Sequence, residues 1–195
     1  MDRLSALGGW AALGLLLLAA CEQPGEAHTG RAVGRVDAVK MKRVSLKELC
    51  DVAPDPAEAF HWPKLTSPAQ AQAGTKYRWV NVWATWCKPC VEELPLLTRS
   101  FSDWQKKQQP LTLTLLSVDS DAAAAQRFIA ARPELPRSLL LEDASAATSW
   151  LSELGLGAGT VPVHVVLDAQ DKLLCARSGA ISAQDLERFH RALFP

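Results

Sequence analysis

Val80-Asn81-Val82-Trp83-Ala84-Thr85-Trp86-Cys87-Lys88-Pro89-Cys90-Val91-Glu92-Glu93-Leu94-Pro95 decides how this chain folds. An apolar run leads into two cysteines three positions apart, and a helix-forming segment follows them. Thiols at that spacing, at a strand-to-helix junction, can close a small disulfide ring and reopen it. The free N–H groups and partial positive charge of a helix N-terminus favour a thiolate at Cys87. A thiolate is the attacking species in thiol–disulfide exchange, and Cys90, one turn inside the helix, is within reach to resolve the mixed disulfide. Half of a zinc knuckle is the alternative, but it needs further Cys or His at ligand spacing. The sequence has no second Cys-x-x-Cys and no His pair, so no metal site is expected.

Outward from this stretch the pattern alternates. Trp79–Trp83 reads as a buried strand, and Cys90 to about Lys107 as a helix that Pro95 kinks by removing one hydrogen bond. Leu111–Val118 alternates apolar and hydroxyl residues and is a strand. Ser120-Asp121 caps an Ala-rich helix to about Arg132. Leu139–Leu141 is a short extended piece, and Ser145–Leu154 a helix ended by Gly155. Val163–Leu167 and Lys172–Ser178 flank Asp168-Ala169-Gln170-Asp171 as a hairpin. Ser182 caps a last amphipathic helix through Phe194, with Leu186, Phe189 and Leu193 on one face. Residues 36–76 should add at least a short strand or helix. The class is α/β.

The quoted stretch, together with Gly159-Thr160-Val161-Pro162, resembles the thioredoxin superfamily and, within it, the TlpA/ResA/CcmG branch of membrane-tethered extracytoplasmic thiol-disulfide oxidoreductases. The resemblance runs from about Trp79 to the C-terminus. It implies a thioredoxin-like fold: a central mixed β-sheet flanked by helices, here with an N-terminal extension. It further implies that Pro162 follows a cis bond and faces the active-site disulfide, with the Val161 backbone pairing with a substrate chain as an added strand. Thioredoxin carries a buried Asp where this chain has Asn81. The ResA-like branch instead has a Glu three residues after its second cysteine, matched by Glu93, which would move a proton during exchange. Trp86, directly before Cys87, is the tryptophan expected to lie exposed beside the disulfide. His164 reads as a core or edge histidine rather than a metal ligand.

The N-terminus indicates a compartment. Met1-Asp2-Arg3 precedes an apolar Leu4–Ala20, read as a signal peptide spanning residues 1–20. Leu18-Ala19-Ala20-Cys21 resembles a bacterial lipobox, which implies diacylation of Cys21 and a membrane attachment through that lipid. Residues 21–36 read as a flexible tether, and residues 37–195 as the thioredoxin-like domain, with extension 37–76 and core 77–195. Outside the reducing cytosol, the two remaining thiols, Cys50 and Cys175, read as a structural disulfide that ties the extension to the C-terminal hairpin. Two buried free thiols or a second redox pair are the alternatives.

Lys+Arg and Asp+Glu are both 21, so the formal net charge is zero. Neither that balance nor any polybasic run points to nucleic acid. The sequence therefore reads as a periplasm-facing lipoprotein of the bacterial cell envelope, inner or outer membrane undecided, that works as a thiol-disulfide oxidoreductase. Its redox group is the Cys87–Cys90 disulfide, with no other cofactor. By the resemblance its partners are oxidised client proteins, such as those of cytochrome c maturation, and an upstream membrane thiol reductant. A dithiol oxidant is one alternative and a Sco-like copper chaperone another; the latter has three residues between its cysteines and a distant His. A peroxidase is disfavoured because its Thr-x-x-Cys pattern is missing.

Overall fold

The structure is a computed structural model, describing residues 44–70, 73–156 and 160–195. The signal peptide, Cys21, the tether and Gly159 lie outside the described residues. Six strands form one sheet: β1 (Glu58–Ala59), β2 (Tyr77–Trp83), β3 (Leu111–Ser117), β4 (Ser138–Leu140), β5 (Val163–Asp168) and β6 (Lys172–Ser178). Their spatial order is β1-β6-β5-β2-β3-β4. β2, β3 and β4 run parallel, whereas β5, β6 and β1 each join antiparallel. The mixed sheet and its flanking helices are those of a thioredoxin-like fold.

The helices are α1 (Lys88–Lys106), α2 (Ala122–Ala130), α3 (Ala147–Glu153) and α4 (Ala183–Leu193); α1, α2 and α4 begin where a side chain satisfies a free N–H group. Asp121 accepts from Ala123 N, and Ser182 accepts from Asp185 N while the Asp185 carboxylate accepts from Ser182 N. α3 begins differently from the expectation at Ser145. Asp143 caps a short 3-10 turn (Ala144–Ala146), and the α-helix continues from that turn. Gly155 ends it at φ +78°, and a Cβ there would meet Val52 Cγ2 at 3.1 Å. Within α1, Pro95 has no N–H to give the Val91 carbonyl, yet the helix continues through it.

The 139–141 piece is a true sheet edge, pairing in parallel with β3. The extension contributes a 3-10 turn (Leu46–Glu48), the two-residue β1 and an isolated bridge from Val52 to Ala176. Two further features fix it to the β5–β6 hairpin. Cys50 is disulfide-bonded to Cys175 on β6, and Asp171 accepts from Trp62 Nε1 at 3.2 Å while pairing with the buried Arg78 at 3.2 Å.

The core lies in two clusters. One joins Trp79 and Val166 to Leu97 and Phe101 of α1 and to Leu186, Phe189 and Leu193 of α4. Trp79 sits edge-on to Phe101 and Phe189, with centroids 5.7 and 4.9 Å apart. The other gathers Val80, Val82, Leu116, Trp150 and Leu151, and includes Cys87 and Cys90.

Asp185 gives the fold a pH dependence. Partial burial opposes its charge, but the Ser182 hydroxyl and backbone N–H and the Arg177 guanidinium outweigh burial and hold its carboxyl below the usual range. A lowered native value means that the stabilisation is complete above the unfolded carboxyl's value, roughly 4, and is lost as pH falls through the native one. Asp185→Asn should cost about 1 kcal/mol at neutral pH. It should flatten the acid limb of a stability-against-pH curve, which urea titrations at several pH values would show.

Candidate active site

β2 ends at Trp83, and the chain turns through Ala84, Thr85 and Trp86 before α1 begins. Asp119, just past β3, holds this turn. Its carboxylate accepts from Thr85 N at 3.1 and 3.0 Å, from Thr85 Oγ1 at 2.6 Å and from Ser117 Oγ at 2.8 Å. The loop is thus clamped from two strand ends immediately before the cysteines. Nothing in the sequence marked Asp119 beyond its place after an apolar strand.

Cys87 is the N-cap of α1, and its sulfur accepts from Cys90 N at 3.2 Å. That is the arrangement in which helix N–H groups stabilise negative charge on sulfur. Cys87 and Cys90 form a disulfide. Cys87 keeps 5% of its surface and Cys90 none, so the exposed side of the pair is Cys87. Trp86 next to it is 67% exposed, the one exposed large hydrophobic among the described residues. Lys88 stands between the two cysteines but points into solvent. It is 84% exposed and pairs with Glu92 at 3.7 Å, one helical turn on, so water screens its charge.

Val161–Pro162 is a cis peptide bond, and Val161 O lies 3.6 Å from Cys87 Sγ. The loop before β5 therefore abuts the more exposed sulfur.

Glu93 is buried in α1, three residues beyond Cys90. Its Oε1 accepts from Asn81 Nδ2 at 2.9 Å and its Oε2 from Ile181 N at 2.9 Å. His164 Nε2 is 3.5 Å from Oε1. Asn81 thus holds the helix-borne carboxylate instead of supplying one from the strand. The link could have been suspected from Asn and Glu flanking the cysteines, but His164, far along the chain, could not. Among the described residues, no group of three or more His, Cys, Asp or Glu is placed to hold a metal ion, and no helix is long and apolar enough to cross a membrane.

Chemically, the site has a buried disulfide with one edge exposed, the Cys90 N–H directed at that edge, an apolar tryptophan beside it and a fixed carboxylate one turn along α1. That set is suited to thiol–disulfide exchange.

No family model matches the sequence. Among curated proteins, the chain is similar to the thiol-disulfide oxidoreductase ResA of Geobacillus thermodenitrificans: 23% identity over 125 residues, covering 62% of this chain and 67% of that one. ResA of Bacillus anthracis is 23% identical over 117 residues, 60% of this chain and 62% of the relative. The chain thus spans about two thirds of the length of these relatives, or somewhat less. Among solved structures, the thioredoxin domain of a thiol-disulfide oxidoreductase from Bacteroides vulgatus superposes with a TM-score of 0.50 at 18% identity, over 63% of this chain and 81% of that one. With the mixed sheet and the Cys87–Cys90 disulfide at its strand-to-helix junction, the chain has a thioredoxin-like fold, and in sequence it is similar to thiol-disulfide oxidoreductases named ResA.

Proposed function

We propose that the protein is a membrane-anchored, periplasm-facing thiol-disulfide oxidoreductase that reduces disulfides in client proteins. The observation that carries the reading is the Cys87–Cys90 disulfide at the start of α1, with the Cys90 N–H directed at Cys87 Sγ at 3.2 Å. In the reduced protein Cys87 attacks a client disulfide as thiolate, and one client sulfur leaves with the electron pair. Glu93 takes the proton of Cys90, whose thiolate then displaces the second client sulfur from Cys87. Two electrons pass to the client, and the internal disulfide re-forms. Trp86 and the Val161–Pro162 loop hold the client chain, Val161 through its backbone and Trp86 through its exposed ring.

Cys21 is the lipid attachment that keeps residues 37–195 at a membrane, and an upstream membrane thiol reductant resets the pair. The ResA-like resemblance favours reduction, with oxidised cytochrome precursors as one client class. The Cys50–Cys175 pair is structural and takes no part in turnover.

Direction is tested with a fluorescent two-cysteine peptide, presented oxidised to the reduced protein and reduced to the oxidised protein. Net transfer in the first arm, at glutathione ratios where the second stays still, supports the reductant. The reverse asymmetry identifies a disulfide-forming oxidant.

A further inference from the structure

His164 is completely buried on β5. In the strand register it faces Asn81 of β2 on one side and Arg177 of β6 on the other. Directly paired residues of antiparallel strands share a face, so Asn81, His164 and Arg177 form a polar row across the sheet. The helices bring two carboxylates to that row. Glu93 of α1 meets Asn81 and His164, and Asp185 of α4 pairs with Arg177 at 3.3 Å. On α1 at this end of the sheet lie also the Cys87–Cys90 disulfide and the exposed Lys88–Glu92 pair.

The row has a defined proton arrangement. Trp79 Nε1 donates to His164 Nδ1 at 3.2 Å. A ring nitrogen that accepts carries no proton, so the neutral imidazole has its hydrogen on Nε2. Nε2 has no hydrogen-bond partner and lies 3.5 Å from Glu93 Oε1. That exceeds an ordinary N–H···O bond. A buried N–H left alone is nevertheless costly, and the Glu93 carboxylate is the acceptor charge beside it.

We propose that His164 is a positioning residue for Glu93. Trp79 fixes the tautomer, and the Nε2–H facing Oε1 keeps the carboxylate ionised and aligned to take the Cys90 proton. The inference rests on the proton-accepting role given to Glu93 above. In the step concerned, the Cys90 S–H bond breaks and its proton goes to Glu93. The Cys90 thiolate then bonds to Cys87 sulfur, and the client sulfur leaves with the bonding pair as thiolate. A donor near a carboxylate favours its charged form, so without that donor Glu93 is a poorer proton acceptor, and the step slows most at low pH.

The test follows oxidation of reduced full-length protein by glutathione disulfide, in single turnover, from acidic to mildly alkaline pH. His164→Phe should be about tenfold slower than wild type at neutral pH, about 1.4 kcal/mol of lost stabilisation of the carboxylate charge, and should recover as pH rises. His164→Gln, whose amide nitrogen can stand in for Nε2, should keep the wild-type profile. Trp79→Phe, which frees the tautomer, should move the profile in the same direction as His164→Phe and carries the test if that variant does not fold. A wild-type profile in His164→Phe, or a uniform slowing that no pH relieves, overturns the proposal. Glu93→Gln should be slow at every pH. If Glu93→Gln instead matches wild type, the role of Glu93 fails, and the inference with it.

Discussion

Cys90→Ser should accumulate as a mixed disulfide between Cys87 and its client, whereas Cys87→Ser should lose exchange altogether. The asymmetry follows from where each sulfur sits. Cys87 caps α1, keeps the exposed edge of the pair and accepts from Cys90 N; these features make it the stabilised, accessible thiolate. Cys90 has no exposed surface, so an incoming disulfide cannot reach it, and its only target is the Cys87 sulfur once that is bonded elsewhere. Cys90→Ser keeps the attacking thiol but removes the group that releases the client. Its adduct should survive denaturing, non-reducing electrophoresis and dissolve with dithiothreitol. Adducts formed through Cys90 in the Cys87→Ser protein would reverse the assigned roles.

Removing the second disulfide should have the largest effect on stability. Cys50 and Cys175 are 125 residues apart in sequence, so their bond confines a long stretch of the unfolded chain. On the chain-entropy model such a closure is worth about 5 kcal/mol, against about 2 kcal/mol for the short Cys87–Cys90 ring. Cys50→Ala with Cys175→Ala should therefore lower the melting temperature by about 10–15 °C, given the usual dependence on size, while exchange at Cys87 persists. The loss should begin locally, because Leu49 and Cys175 share the cluster that packs Trp79 against α1 and α4. Scanning calorimetry with a parallel exchange assay checks both halves. A double variant as stable as wild type would mean that the Val52–Ala176 bridge and the Arg78–Asp171 pair secure the extension by themselves.

What the sequence revealed is local, and what it hid is long-range. The strand at Trp79–Trp83, the helix after Cys87 and the Ser182-capped final helix are legible because periodicity and capping are encoded within a few residues. Leu139–Leu141 was legible as extended, but not as a sheet edge, because its three-residue pairing to β3 depends on residues elsewhere in the chain. The start of α3 was misplaced for a related reason. Asp143 caps a 3-10 turn ahead of the helix, and the Ser145 hydroxyl donates to Asp143 within that turn.

In the site, Cys87, Cys90 and Pro162 are visible in the sequence because their chemistry depends on spacing and residue type. The clamp on the active-site turn was not, since Asp119 meets Thr85 only when β2 and β3 lie side by side. The same holds for His164: its register opposite Asn81 and its bond from Trp79 arise from pairing β5 with β2. A lone histidine in an apolar strand carries no such message.

The decisive measurement is the equilibrium of the oxidised protein, beginning after Cys21, with glutathione buffers of graded ratio, with each cysteine followed by mass spectrometry. Cys87 and Cys90 should titrate together as one two-electron couple, near −270 mV or below for a reductant, while Cys50 and Cys175 stay joined throughout. A potential near −120 mV would contradict the reductive direction. A Cys87–Cys90 pair that does not exchange with glutathione at all would contradict the redox assignment itself.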